Sequence, residues 1–269
     1  MNEKTKKERM KDILSEIIAH KKNEVAVRKA EIPFAMLEKQ LTGRTIPFHS
    51  LKEVLEQSST GIIAEFKRRS PSKGWINRPA DAAEVTKAYE TAGAAALSVL
   101  TDEHYFGGTI ADLRMAVASV QIPVMRKEFI VDEYQLFEAK LAGASAILLI
   151  AAAITKEESE RFTELAHQLQ LDVLLELHDE RETDYITPLN NLIGINNRNL
   201  GSFVTDLDKS FRMIGLLPEE AVLVSESGIS DPVIVRELRD AGYRGFLIGE
   251  HFMKTADPGE SLRSFVQRL

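Results

Sequence analysis

The chain has 269 residues, a net charge of −7, 44% hydrophobic residues and no cysteine. That length can bury a large core and suits a parallel α/β barrel, which often runs to about 250 residues as one domain. The acidic balance argues against a general nucleic-acid binder, and the missing cysteine excludes disulfides, thiolate zinc sites and cysteine nucleophiles.

The first residues, Met-Asn-Glu-Lys-Thr-Lys-Lys-Glu-Arg, are charged and lack the apolar core of a signal peptide. The longest apolar run, Ala144 to Ile154, is too short to span a bilayer. A soluble cytoplasmic protein with no membrane partner is expected, and a cysteine-free chain fits a reducing compartment easily.

Taken in order, Ile13, Leu14, Ile17, Ile18 and Val25 recur at helical spacing until Pro33 ends the pattern. Short helices come next, over Phe34 to Gln40 and Leu51 to Gln57. This opening segment, residues 1–60, reads as a helical extension that packs on the rest of the chain and forms part of a lid.

From Ile62 onward, short apolar strands alternate with amphipathic helices. Three helices end alike, in Ala92-Gly93-Ala94, Ala142-Gly143-Ala144 and Ala241-Gly242-Tyr243, with the glycine placed to close the helix in a left-handed conformation. Strands are predicted over Ile62–Lys67, Ala96–Leu100, Val124–Lys127, Ile147–Ile150, Val173–Leu177, Leu192–Asn196, Ala221–Ser225 and Phe246–Gly249. Thr155 with Glu158 reads as a capping box, and Ser230 as the N-cap before Asp231-Pro232. The strands are nearly continuous apolar runs, as in a parallel sheet covered on both faces. Residues 1–269 therefore read as a single (β/α)8 barrel, the TIM barrel, with an N-terminal helical extension. A doubly wound open sheet is the alternative. It would usually carry a Gly-rich fingerprint after its first strand, where this chain has Arg-Arg-Ser-Pro-Ser.

In such a barrel the C-terminal strand ends converge on one site. They supply Glu65 and Lys67, then Lys127, Glu176, Asn196 and Arg198, Glu226 and Ser227, and Gly249. A single Glu or Lys there could be a satisfied ion pair. Burying several ions together costs several kcal/mol per ion before pairing, so a structural core would seldom collect them. The loop Arg68-Arg69-Ser70-Pro71-Ser72-Lys73-Gly74 is basic and turn-rich and suits an anion, although a solvated basic turn explains it as well. Gly228 and Gly249 open helices after the last two strands, the usual phosphate position in this barrel. The six histidines show no metal-ligand spacing, and Trp75 reads equally as core or as a stacking surface.

These segments together resemble the indole-3-glycerol-phosphate synthase family. The stretches that carry the likeness are Ile63 to Ser72, Arg126 to Ile130, Leu175 to His178, Gly194 to Leu200 and Ser225 to Ile229. The likeness implies conversion of 1-(2-carboxyphenylamino)-1-deoxyribulose 5-phosphate to indole-3-glycerol phosphate, a decarboxylating lyase step of tryptophan biosynthesis. It implies Lys127 as general acid and Glu176 as base. Lys67 would hold the substrate carboxylate and serve as a second acid, and Glu65 would orient and pair the lysines. Crowding by a second lysine would disfavour the charged form of Lys127. Asn196, Arg198, Glu226, Ser227 and Ser70 would line the ribulose and anthranilate moieties, and Gly228, Gly249 and Glu250 the phosphate. Glu250 departs from the small Ser of some family members, which removes a side-chain hydroxyl contact. No metal or organic cofactor is called for, and weak association with other tryptophan-pathway enzymes is compatible with the family. Two other readings are a related barrel such as phosphoribosylanthranilate isomerase, whose usual Cys is missing here, and a catalytically silent phosphometabolite sensor.

Overall fold

The computed structural model describes residues 3–199 and 201–269, with side chains from Ile13 onward. Met1, Asn2 and Leu200 lie outside the described residues. Three helices, α1 (Glu3–Glu31), α2 (Phe34–Leu41) and α3 (Leu51–Gln57), precede strand β1 (Ile62–Phe66). A small antiparallel hairpin follows, β2 (Arg69–Ser70) with β3 (Gly74–Trp75), and then α4 (Ala82–Thr91). The chain continues through β4 (Ala96–Leu100), α5 (Glu103–Phe106), α6 (Ile110–Ser119), β5 (Val124–Lys127), α7 (Tyr134–Leu141), β6 (Ala146–Ile150) and α8 (Lys156–Gln168). It closes with β7 (Asp172–Leu177), β8 (Leu192–Asn196), α9 (Asp208–Met213), β9 (Val222–Glu226), α10 (Pro232–Ala241), β10 (Gly245–Ile248), α11 (Glu250–Met253) and α12 (Pro258–Val266). A 3-10 segment, Glu180–Tyr185, stands where a helix would follow β7.

The eight strands other than the hairpin close into a barrel in sequence order, with β10 returning to pair with β1. Every barrel pairing is parallel. The expected (β/α)8 architecture is present, and the open-sheet alternative is not. Period-two alternation divides each strand between two cores. Ile63, Met125, Leu148, Leu174, Leu192, Val224 and Leu247 fill the barrel. Their neighbours Ile62, Ala64, Val124, Leu149, Leu175, Ile193 and Ile248 face the helices. The three helix-ending glycines have positive φ, at 99°, 86° and 121°.

Some local expectations shift. Strand β9 starts at Val222 because the N–H of Ala221 is still bonded to Pro218 O in a turn. Gly249 leaves β10 to become the residue before α11. Asp231, not Ser230, caps α10, accepting from the Val233 N–H. The Thr155–Glu158 capping box is present.

The N-terminal segment reaches both ends of the barrel. At the N-terminal end of the strands, Leu51 and Leu55 of α3 join the interior core. Ser50 caps α3 and donates to Asp172 Oδ2 at 2.8 Å. At the opposite rim, Ile13, Leu14 and Ile17 of α1 border the mouth. Further along α1, Val25 packs with Tyr134 and Phe137 of α7.

Candidate active site

The inward-facing series that fills the barrel turns ionic at its C-terminal rim. Ile63 is followed by Glu65 and Lys67, Met125 by Lys127, Leu174 by Glu176 and Val224 by Glu226. Strand alternation points all of these into one space. Lys127 Nζ lies 2.9 Å from Glu176 Oε2 and 2.6 Å from Glu226 Oε2. Lys67 Nζ lies 2.6 Å from Glu65 Oε1. These groups share a cavity of ≈ 340 Å³ with Ser70, Asn196, Arg198, Ser227, Gly228, Gly249 and Glu250. The opposite wall is apolar, built from Leu100, Phe106, Phe129, Ile150 and the α1 residues Ile13, Leu14 and Ile17.

Glu176 and Glu226 are each 1% exposed, so their charges must be offset locally. Burial opposes the Lys127 ammonium, but the carboxylates of Glu176, Glu226 and Glu65 outweigh it and hold the amine above the ordinary lysine range. Burial likewise opposes charge on Glu176, yet Lys127 and His178 hold its carboxyl well below the usual range. Glu226 goes the other way: burial and the Glu176 charge, against the pull of Lys127, push it up to about 8. Its Oε1 is buried without a hydrogen-bond partner among the described residues, a position cheaper for a neutral carboxyl. Within the trio Lys127 and Glu176 are held in their charged forms, and Glu226 is the carboxyl that takes a proton more readily.

This arrangement overturns the expectation that a second lysine weakens the charge of Lys127. Each lysine is paired with its own carboxylates, and Glu65 pairs directly with Lys67 alone. The basic loop is also largely committed. Arg68 makes a two-pronged contact with Asp112, both bonds 2.7 Å, and Arg69 donates to His104 O at 2.9 Å. Trp75 is neither core nor cavity wall: it is 48% exposed, with Arg78 4.9 Å from its ring centroid. Glu250 carries its carboxylate to Arg198 at 3.2 Å and Lys73 at 3.8 Å, so its side chain competes with an anion. Gly249 has a packing reason as well, because a Cβ there would run into Glu65. At Gly228, with φ of 81°, a Cβ would meet Thr205.

A family model described as indole-3-glycerol phosphate synthase matches residues 14–265. The chain belongs to the indole-3-glycerol phosphate synthase family. A protein of that name from Bacteroides thetaiotaomicron is 55% identical over 261 residues, 97% of this chain and 100% of its own. One from Neisseria meningitidis is 44% identical, over 92% of this chain and 96% of its own. One from Polaromonas naphthalenivorans is 41% identical, over 94% and 98%. Among solved structures, a chain of the tryptophan synthase a2b2 complex from Pyrococcus furiosus superposes with a TM-score of 0.58 at 14% identity. It covers 79% of this chain and 98% of that one, a likeness of fold alone.

The synthase-family motifs Ile63 to Ser72, Arg126 to Ile130, Leu175 to His178 and Ser225 to Ile229 all border this cavity or its rim. Two further neighbours shape this arrangement. Gly194 leaves the space that Glu226 fills, since a Cβ would collide with its carboxylate. His178 bonds Glu176 Oε1 through Nε2 at 2.6 Å. A strand glycine facing inward and an i, i+2 Glu–His pair at a strand end were the only signals available.

Proposed function

We propose that this chain closes the indole ring of tryptophan biosynthesis, converting 1-(2-carboxyphenylamino)-1-deoxyribulose 5-phosphate to indole-3-glycerol phosphate, carbon dioxide and water. The observation that carries the residue roles is the placement of Lys127 between Glu176 and Glu226 in a cavity half ionic and half apolar. The apolar wall suits the anilino ring. Lys67 is placed for the ring carboxylate, Asn196 and Arg198 for the ribulose hydroxyls, and Ser70, Ser227, Gly228 and Gly249 for the phosphate end. Glu250 is the weakest member of that phosphate group, given its ion pairs.

The ring carbon bearing the carboxylate attacks the C2 carbonyl, and the carbonyl oxygen gains negative charge. The Lys127 ammonium is always protonated at neutral pH, and an alkoxide is far more basic than the amine it leaves behind. Proton transfer from Lys127 Nζ therefore accompanies carbon–carbon bond formation. The bond to the carboxylate then breaks, carbon dioxide leaves, and the electron pair restores aromaticity. In the last step the hydroxyl departs as water with a proton from an acid, the role we give Lys67, while ionised Glu176 takes a proton from the methylene carbon beside the nitrogen, and that carbon's electron pair forms the new ring double bond. Apolar wall and closed barrel interior keep water from competing for these protons.

We extend the same reading to a cytoplasmic location and to weak association with other enzymes of the pathway, on family membership. Among the described residues no helix is long and apolar enough to cross a membrane. The test is an absorbance assay for the indole chromophore with the carboxyphenylamino substrate. Steady turnover is expected, and binding without turnover would point to a sensor instead.

A further inference from the structure

His178 stands one residue past the end of β7 and two past Glu176, so the two side chains share a face. Its ring does not line the cavity; it lies behind Glu176. Nε2 is 2.6 Å from Glu176 Oε1, and Nδ1 is 3.3 Å from the carbonyl oxygen of Arg198. The His178 backbone N–H donates to Glu182 Oε2 at 2.6 Å, which fixes where the ring begins.

Both ring nitrogens thus face oxygen atoms, and the shorter contact is the one to Glu176. Because Glu176 is ionised, the 2.6 Å contact is a donation from the ring nitrogen Nε2 to Oε1, which leaves Oε1 occupied. Only Oε2 remains for chemistry, and it is the oxygen 2.9 Å from Lys127 Nζ.

We propose that His178 is a positioning residue of the ring-closing reaction, holding one oxygen of Glu176 so that the other faces Lys127 and the substrate. The inference rests on the reading of Glu176 as the base. The charged groups facing the pair are Lys127 from β5, Glu226 from β9 and Glu182 from the 3-10 segment, while the loop after β8 offers only the backbone carbonyl of Arg198. Of these, Lys127 and His178 favour the Glu176 charge, so losing His178 moves its titration upward.

The experiment compares wild type, His178→Ala and His178→Gln as full-length proteins, with kcat and KM measured across pH. His178→Ala should lower kcat about tenfold or more with KM changed less than about twofold. The acidic limb of its kcat profile should shift to higher pH. His178→Gln keeps an N–H near the place of Nε2 and should recover most of kcat. Full activity and an unmoved acidic limb in His178→Ala would overturn the inference. So would equal losses in both variants with KM rising, which marks simple packing. A wild-type protein inert toward the substrate would instead overturn the activity reading, and this inference with it.

Discussion

Two lysines sit among carboxylates, Lys127 itself and Lys21 beside the next residue, Glu128, and only Lys127 faces the cavity. Lys127 opens onto it between Glu176 and Glu226. Lys21 arrives from α1, with Nζ 2.9 Å from Asp102 Oδ2, 3.1 Å from Glu128 Oε1 and 2.9 Å from Glu24 Oε2. Lys21 and Asp102 have no exposed side-chain surface, and neither lines the cavity. Glu128, which also borders the cavity, is further held by Thr101 at 2.8 Å, so the sealed part of the cluster is Lys21 with Asp102. The chemical groups are the same and the uses differ. A lysine among carboxylates is a structural clamp when sealed. It becomes reactive when a cavity reaches it and its carboxylates are shifted in opposite directions. Lys21 lies four, seven and eight residues beyond Ile17, Leu14 and Ile13, on the same helical face. The sealed cluster thus holds the helix that forms the apolar wall over the open one.

The contrast breaks most sharply at Lys127. Lys127→Ala should lower kcat by about 10²- to 10⁴-fold or more while the circular dichroism of the folded protein stays near wild type. At the sealed cluster the effects should exchange places. Lys21→Met strands the Asp102 and Glu128 carboxylates, and urea unfolding should show a loss of about 3–5 kcal/mol. Its KM should rise as the α1 wall loosens, with kcat falling less than about tenfold. A variant that keeps wild-type stability, or loses kcat as Lys127→Ala does, would erase the distinction.

The open cluster should also leave a mark on stability. In the folded protein the Glu226 carboxyl is raised from 4.5 to about 8, so it keeps a proton that the unfolded chain gives up. The folded state binds more protons across that window, and stability falls as pH rises from about 4.5 to about 8. Glu176 is shifted down, so its contribution is present above the ordinary carboxylate range and lost only as pH falls below it. The two windows do not overlap. Glu226→Gln should flatten the decline between them, as read by melting temperature against pH. The smallest effect concerns Glu250. Replacing its carboxylate frees Arg198 and Lys73, and Glu250→Ser should lower KM by about twofold to threefold with kcat unchanged.

The open cluster was largely legible in the sequence, and the sealed one was not. Glu65, Lys67, Lys127, Glu176 and Glu226 interrupt apolar strands, and an ion at the end of an apolar run is visible without coordinates. Period-two alternation then aims them all inward. Lys21 sits in a helix crowded with Lys, Arg and Glu, where a buried cation looks like any solvated one. The basic loop misled for the same reason. Arg68 finds Asp112 44 residues away, a pairing that only the closed barrel creates. The sign of the Lys127 shift also depended on assembly. Counting lysines by strand predicted repulsion, whereas the nearest charges are carboxylates.

The central claim is that Lys127 and Glu176 act as one unit on one substrate, and a double-mutant cycle measures it. Single-turnover rates of ring closure should be taken for wild type, Lys127→Ala, Glu176→Gln and the double variant. Groups that serve one sequence of proton transfers are strongly non-additive. The double variant should be about as slow as the slower single one. Losses that multiply, as they would for two side chains in separate places, would contradict the account.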